Sequence, residues 1–519
     1  MSRRIPHSVW ISAAALLLAG SALSAVRAQD AGPLSLEQTE SLAHALGIYD
    51  AAASERALGG DRIMPEGDHY VVRLPIDMGR EGAMVSGGDT TLHAKPLEDG
   101  RWSFDSITLP ASLLIGDKDH DPLKVDFAST DLVYTAVVDP EHATTSTADL
   151  TLAAMKAHIT GSLPEKDKPA TPLDIAVEGG KTEDHAVTTA AVDGRVDQTT
   201  TFTLADLSLN VAGDKPLKMG MSKLFGTMKV GGMAPERARA LQAKLDEIQK
   251  MMKATPAAAA TPAPVTPTPD SNAPAIATSP AKAPMTAEQK AALKEFVAIL
   301  REAFRSVDLT GEIDDVTVSD QTNKGVTMSK LVISTVAAAP ESKLDAKETI
   351  AMEGLTVADL PPGLYARLVP RRVVFTPHVS GLPLDDVADM LNQMIDTPDA
   401  DPSVLGPKVD AMLAKGPIRV AIDDLAFDVG PAGLTANGGV DVTSAVLPAN
   451  AAKADIKVTH LDDLTKLLSS DPQLRQGVPF IIFLKGIGKQ DGDVVTWHVE
   501  STNGQLTVNG QDMSQLMPH

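Results

Sequence analysis

The 519-residue chain has no cysteine, and its aromatics number only ten Phe, four Tyr and three Trp. Without thiols there is no disulfide, no thiolate zinc site, no thiol nucleophile and no cysteine to carry a lipid anchor. So few aromatics argue against base stacking and against interfaces built on Trp and Tyr anchors. Basic residues are also in deficit, 46 Lys+Arg against 68 Asp+Glu, for a net charge of −22. Nucleic-acid binding runs on clustered Lys and Arg, so no nucleic-acid partner is expected. What remains is a long chain with room for two to four domains at about 100–200 residues each.

Its first residues read as an address. Arg3, Arg4 and His7 form a basic start, Val9 to Leu23 is an apolar run, and Val26-Arg27-Ala28 offers small residues for cleavage. The run is rich in Ala and Ser and falls short of the roughly 20 strongly apolar residues of a spanning helix. The expectation is a secretory signal, residues 1–28, cleaved near Ala28 to release a periplasmic protein. The alternative is an uncleaved signal that tethers the chain to the inner membrane. No later segment approaches spanning length, so no integral span is expected after cleavage. Cleavage would remove three arginines and no acid, taking the charge from −22 to −25. With no disulfide in an oxidising compartment, the fold must rest on its core.

Ala254 to Pro284 is rich in Pro, Ala and Thr, with eight prolines in 31 residues. Proline removes a donor and biases its predecessor away from helix, so a disordered, extended linker of up to about 100 Å is expected. It separates an N-terminal part, 29–253, from a C-terminal part, 285–519. Both flanks are helical in pattern. Pro235 suits a first helical position before Leu241, Leu245, Ile248 and Met252, and Thr286 with Gln289 forms a capping box before Leu293, Val297, Leu300 and Phe304. The two stripes either pair with each other or each cover their own sheet.

Elsewhere the apolar period is two. Tyr70-Val72-Leu74-Ile76, Val125-Phe127 and Phe202-Leu204 alternate with polar residues as half-buried antiparallel strands do. Asp99-Gly100, Asp193-Gly194, Asp491-Gly492 and Asn503-Gly504 supply the positive φ of tight hairpins. A first helix begins near Ser35, with Gln38 completing its capping box. One six-residue unit recurs: Phe104–Leu109, Leu204–Leu209, Ile313–Val318, Met352–Val357 and Ile422–Phe427, each apolar, polar, small or acidic, apolar, small, apolar. Its first and fourth residues fall on opposite faces of a regular strand unless a bulge intervenes. The fold class is α+β and β-dominated: two related curved antiparallel sheet halves with covering helices.

The stretch Phe483–Met513, closing on Asn503–Gly510 (NGQLTVNG), and Val379–Met394 (VSGLPLDDVADMLNQM) resemble an uncharacterised Gram-negative envelope family. With the repeated GLTV-type strands, they are similar to the YdgA-like and AsmA-like envelope proteins, mainly over residues 307–519. The resemblance implies a periplasmic, β-rich, non-catalytic domain of unknown function, and for the AsmA-like members lipid traffic between membranes.

Catalytic and metal motifs are missing from the sequence. There is no His-Glu-x-x-His, no Gly-x-Ser-x-Gly elbow and no phosphate-cradling glycine loop, so no enzyme activity and no cofactor are expected. Asp117, Asp119 and Asp121 have the 1-3-5 spacing of a calcium loop, but Pro122 stands where glycine makes the turn and Ala128 where glutamate closes it. They are a weak turn candidate, and no metal site is expected. Val478 to Leu484 is the most apolar window outside the signal. There Phe480, Ile481, Phe483 and Leu484 are candidate contacts to a ligand or partner, or simply core. Met390, Leu391 and Met394 read as a core-facing stripe.

These readings leave two main functions. One is a binding or carrier protein holding a lipid or acyl ligand on a curved sheet, because Leu/Val-rich strands with few aromatics suit an aliphatic groove. The other is a structural or protein-interaction module of the cell envelope, with another envelope protein as partner and no small ligand. A hydrolase assembled from residues distant in sequence ranks third.

Overall fold

The computed structural model describes residues 32–48, 51–77, 84–116, 123–141, 144–165, 168–213, 216–254, 285–320, 322, 324–358, 360, 364–398, 405–444, 450–472, 474–502 and 504–513. The signal segment, the linker beyond Ala254 and the Asp117, Asp119 and Asp121 turn lie outside the described residues. The chain is α+β and β-dominated, built on one antiparallel sheet.

The sheet opens with β1 (Ile63–Glu66), β2 (His69–Asp77) and β3 (Met84–Pro96). From β3 it runs as two tiers. One holds β4 (Trp102–Thr108), β7 (Val133–Asp139), β8 (Thr144–Leu152) and β11 (Thr182–Ala190). The other holds β5 (Ser112–Gly116), β6 (Leu123–Thr130), β9 (Ala154–Glu165) and β10 (Lys168–Gly179). Both tiers meet β12 (Val196–Ala212), whose first half pairs with β11 and second half with β10. Next come β13 (Leu217–Met233), β14 (Ser306–Asp320), β15 (Gly325–Ala338) and β16 (Lys343–Glu353), the last extended by β17 (Thr356–Val357). The sheet continues through β18 (Pro370–Pro383), β19 (Ile418–Val429), β20 (Ala432–Val442) and β21 (Ala451–Thr459). It ends with β22 (Lys489–Asp491), β23 (Val494–Thr502), β24 (Gln505–Val508) and β25 (Gln511–Asp512).

The parts expected on either side of the linker meet as one continuous sheet. β13 and β14 pair from Leu217↔Asp320 to Gly231↔Ser306, so the intervening chain is an excursion from a hairpin.

The recurring six-residue unit is the device that bends this sheet. Its third residue is Ser106, Asp206, Asp315 and Gly354 in four of the five copies, with φ of 69°, 50°, 52° and 67°. Left-handed backbone inside a strand breaks the two-residue alternation, so the first and fourth residues turn to the same side. Phe104 and Ile107 accordingly enter one core cluster. In the fifth copy the same effect comes from a bulge between Ile422 and Leu425. Register places these kinks in a line across the strands. Asp206 lies opposite Ser222, Ser222 opposite Asp315, Asp315 opposite Ser329, and Ser329 opposite Gly354. A side chain at Gly354 would collide with Ser329, which is why glycine fits there. The tier boundary β10–β11 continues the line through Gly180, whose N–H donates to the Ala205 carbonyl at 2.8 Å.

Nine helices among the described residues cap parts of the sheet. α1 (Leu36–Ala45) starts at Ser35 with the expected Gln38 capping box, and with α2 (Ala51–Leu58) it covers β2, β3, β4 and β7. Trp102, the largest fully buried side chain, donates its indole N–H to Ser41 Oγ at 3.0 Å, because a buried indole needs a partner. α3 (Pro235–Ala254) and α4 (Ala287–Ala303), the latter capped by Thr286 and Gln289, pack on each other as an antiparallel hairpin. Of the two arrangements left open for these stripes, pairing is the one found. The buried stripe of α4 is Ala292, Phe296, Ile299 and Ala303, one residue earlier than the spacing of Leu293, Val297 and Leu300 suggests. That offset rotates the helix by about 100°. The remaining helices are α5 (Leu364–Arg367), α6 (Leu384–Asp396), α7 (Gly406–Leu413), α8 (Leu461–Ser469) and α9 (Val478–Ile487). α6 and α7 cover the Val379, Ile418 and Val442 ends of their strands, and α8 and α9 cover β20, β21 and β23.

Candidate ligand face

Directly opposed residues of antiparallel strands share a face, so the register sorts the sheet into rows. One row runs Leu150, Asp184, Phe202, Gly226, Gly311, Ile333, Ile350, Phe375, Leu425, Ala436, Ile456 and Trp497. Its ends are covered: Leu150 belongs to the buried core, and Ile456 and Trp497 lie under α8 and α9. Its middle is open, with Ile333 47%, Ile350 39% and Phe375 38% exposed. The next row carries Leu224, Ile313, Leu331, Met352, Val373 and Phe427. Beyond the kink line the apolar face continues as Leu207, Met221, Val316 and Met328, then as Leu209, Met219, Val318, Val326 and Val357. The reverse face of the same strands is mixed, with Lys223, Asp314, Lys330, Glu353 and Arg372 in one row, Thr310, Ser334, Thr349 and Thr376 in another, and Phe225, Glu312, Val332, Ala351, Val374 and Ala426 between them. Exposed apolar side chains contiguous over several strands mark a surface that takes a ligand or partner.

At one end of this face lies a cavity of about 770 Å³. Leu355 and Val357, just past the Gly354 kink, form its floor with Val369 of the β18 approach and Leu467 of α8. Gly430, with φ of 56°, opens the two-residue β19–β20 hairpin and lets it come close to the Arg367 carbonyl and Leu467. Arg367, Arg371 and Lys466 stand on its walls with a single acid, Asp463. Arg371 is fixed by donating to the Gly430 carbonyl at 2.7 Å, and Lys466 pairs with Asp463 at 3.0 Å. A smaller cleft of about 290 Å³ lies over Phe127, Ala157 and Val177, farther along the same apolar rows.

The four apolar residues singled out on α9 divide. Ile481 and Leu484 face inward against Trp497, whose indole N–H also donates to the Leu484 carbonyl at 2.9 Å. Phe480 and Phe483 point outward, 64% and 48% exposed. On α6, Met390 joins the core with Met412 and Leu413, whereas Leu391 and Met394 are exposed, so that stripe is only partly core-facing.

Histidines and carboxylates meet across strands, as the spatial reading of an acid–base pair allows, but as isolated contacts strung along the sheet. His185 meets Asp149 at 2.6 Å, His498 meets Asp455 at 2.7 Å, His158 meets Asp174 at 2.9 Å and His378 meets Asp345 at 3.0 Å. No group of three or more such ligands that would hold a metal occurs among the described residues. Hydrogen bonds that His498 donates to the Asp455 and Glu500 carboxylates push its pKa up. The acid that stands out is Asp184. It is 4% exposed in the apolar row, its Oδ1 has no hydrogen-bond partner among the described residues, and burial pushes its pKa up to about 6. Sequence alone hides it, because Thr182-Glu183-Asp184-His185 reads as a solvated strand. The basic cluster is hidden too, since Arg367 and Lys466 are distant in sequence and only the fold brings them together.

No protein-family model, curated protein or solved structure matches this chain.

Proposed function

We propose that this is an exported, non-enzymatic periplasmic protein that binds or carries a lipid or other acyl ligand along the open apolar face of its sheet. The observation that carries the reading is the uncovered middle of that face. Its two ends are buried, one of them under α8 and α9, yet Ile333, Ile350, Phe375 and Phe427 stay open to solvent on adjacent strands. The Ile333 and Leu331 rows carry aliphatic and aromatic side chains from β15 to β19 without a charge, so the exposed surface there is an apolar band. A hydrocarbon chain laid across it removes that surface from water at about 25 cal/mol per Å².

The test is native mass spectrometry of the protein purified from its own periplasm, followed by solvent extraction and lipid analysis. A discrete adduct of phospholipid or fatty-acid mass is expected, and the variant Ile333→Asn/Ile350→Asn, altered only at exposed positions, is expected to lose it. A clean unliganded mass for the unaltered protein would overturn the stable carrier and turn the search to envelope protein partners.

A further inference from the structure

The cavity at the Gly354 kink differs from the rest of the apolar face in its charge. Three cations, Arg367, Arg371 and Lys466, line it against one acid, in a chain whose acids outnumber its bases by 22. The acid is already engaged by Lys466, and among the described residues neither arginine has a carboxylate partner. Arg371 is tied to a backbone carbonyl, which orients its guanidinium without neutralising it. The floor, in contrast, is apolar and continues the rows of the open face: Leu355 follows Met328 and Val357 pairs with Val326. A volume of about 770 Å³ is that of a small-ligand site, within the usual range of about 300–1,000 Å³.

Apolar rows running into a cavity with excess cationic donors fit a molecule with both characters. We infer that this cavity binds the anionic headgroup of an amphiphile, a carboxylate or phosphate oxyanion held by Arg367, Arg371 and Lys466, while its hydrocarbon tail extends over Val357, Val326 and Met219. This inference rests on the reading of the apolar face as an acyl site and adds to it the polarity of the ligand and the direction in which it lies. Arginine suits the role because its planar fork meets two oxygens of one oxyanion at once.

Affinities for the full exported chain are measured by displacement of an uncharged fluorescent acyl probe. The competitors are two matched pairs: oleic acid against oleyl alcohol, and dioleoyl phosphatidylglycerol against dioleoylglycerol. The anionic member of at least one pair is expected to bind about tenfold or more tightly than its neutral partner, the scale of a charge-assisted contact. A gap confined to the first pair identifies a free fatty acid, and one confined to the second a phospholipid. In Arg367→Gln/Lys466→Gln, two exposed positions, the gap should close while the neutral competitors bind as before. Equal affinities within both pairs, or a gap that survives in the double variant, would overturn the headgroup site and leave the apolar face standing. Failure of every competitor and of the probe to bind would overturn the apolar face itself.

Discussion

Ser222 Oγ donates a 2.8 Å hydrogen bond to Asp315 Oδ2, joining β13 to β14 at the line where both bend. The two residues belong to strands separated by the whole linker excursion, and Asp315 is held at φ of 52°. The same contact therefore stitches the two parts of the chain together and fixes a kink in the sheet. Left-handed backbone is tolerable for Asp and Gly and costly for a branched side chain.

Replacing Asp315 separates these roles. Asp315→Val should destabilise the protein by about 2–3 kcal/mol through strain and the lost hydrogen bond. Asp315→Gly, which loses the bond and relieves the strain, should stay within about 1 kcal/mol of the original. Urea unfolding reads both. Equal costs for Val and Gly would show that the kink is not held by this backbone conformation.

Helix α9 should answer substitution according to side. Leu484→Ala, partly buried against Trp497, is expected to cost about 2–3 kcal/mol, the low end of the range for truncating a packed leucine. Phe480→Ser, on the exposed side, should change stability by no more than about 0.5 kcal/mol. Denaturant midpoints of the two variants measure the contrast, and a large loss at Phe480 would mean that the outer face of the helix is covered.

Acid should strengthen the fold between pH 8 and pH 5. Asp184 has its folded pKa raised to about 6 from the ordinary 3.8, so the folded state takes up a proton that the unfolded chain does not, and stability rises as pH falls through 6. His498 has its folded pKa raised above 6.5, so its contribution is fully present below 6.5 and fades as pH climbs through the raised value. Both act in the same direction. Asp184→Asn should raise stability at pH 7.5 by about 1–3 kcal/mol and flatten the pH profile between 4 and 6. A midpoint that falls on going from pH 8 to pH 5.5 would contradict this assignment.

What the sequence disclosed was local. Ser35 with Gln38, and Thr286 with Gln289, mark real helix starts, because a cap is made by residues three apart. Asp193-Gly194 and Asp99-Gly100 mark real hairpins for the same reason. The recurring unit was visible as a string, and its bulge-like function followed from the misplaced fourth residue. The pairing of β13 with β14 was not legible, since nothing local encodes which distant strand a given edge will find. The rotation of α4 was equally hidden: Ala292 and Leu293 begin two stripes of equal spacing, and only the partner helix selects between them. The cationic cavity was the least accessible feature, assembled from β16–β17, α5, the start of β18, one hairpin and α8.

The hairpin of α3 and α4 changes what the proline-rich segment is for. Lys244 and Glu295 meet at 2.7 Å where α3 and α4 pack on each other, so the two helices that flank the segment are held to one another and not to separate sheets. Its contour length therefore sets no distance between sheet parts. A reporter domain or affinity tag spliced in there lengthens the excursion alone, because the β13–β14 ladder is closed without it.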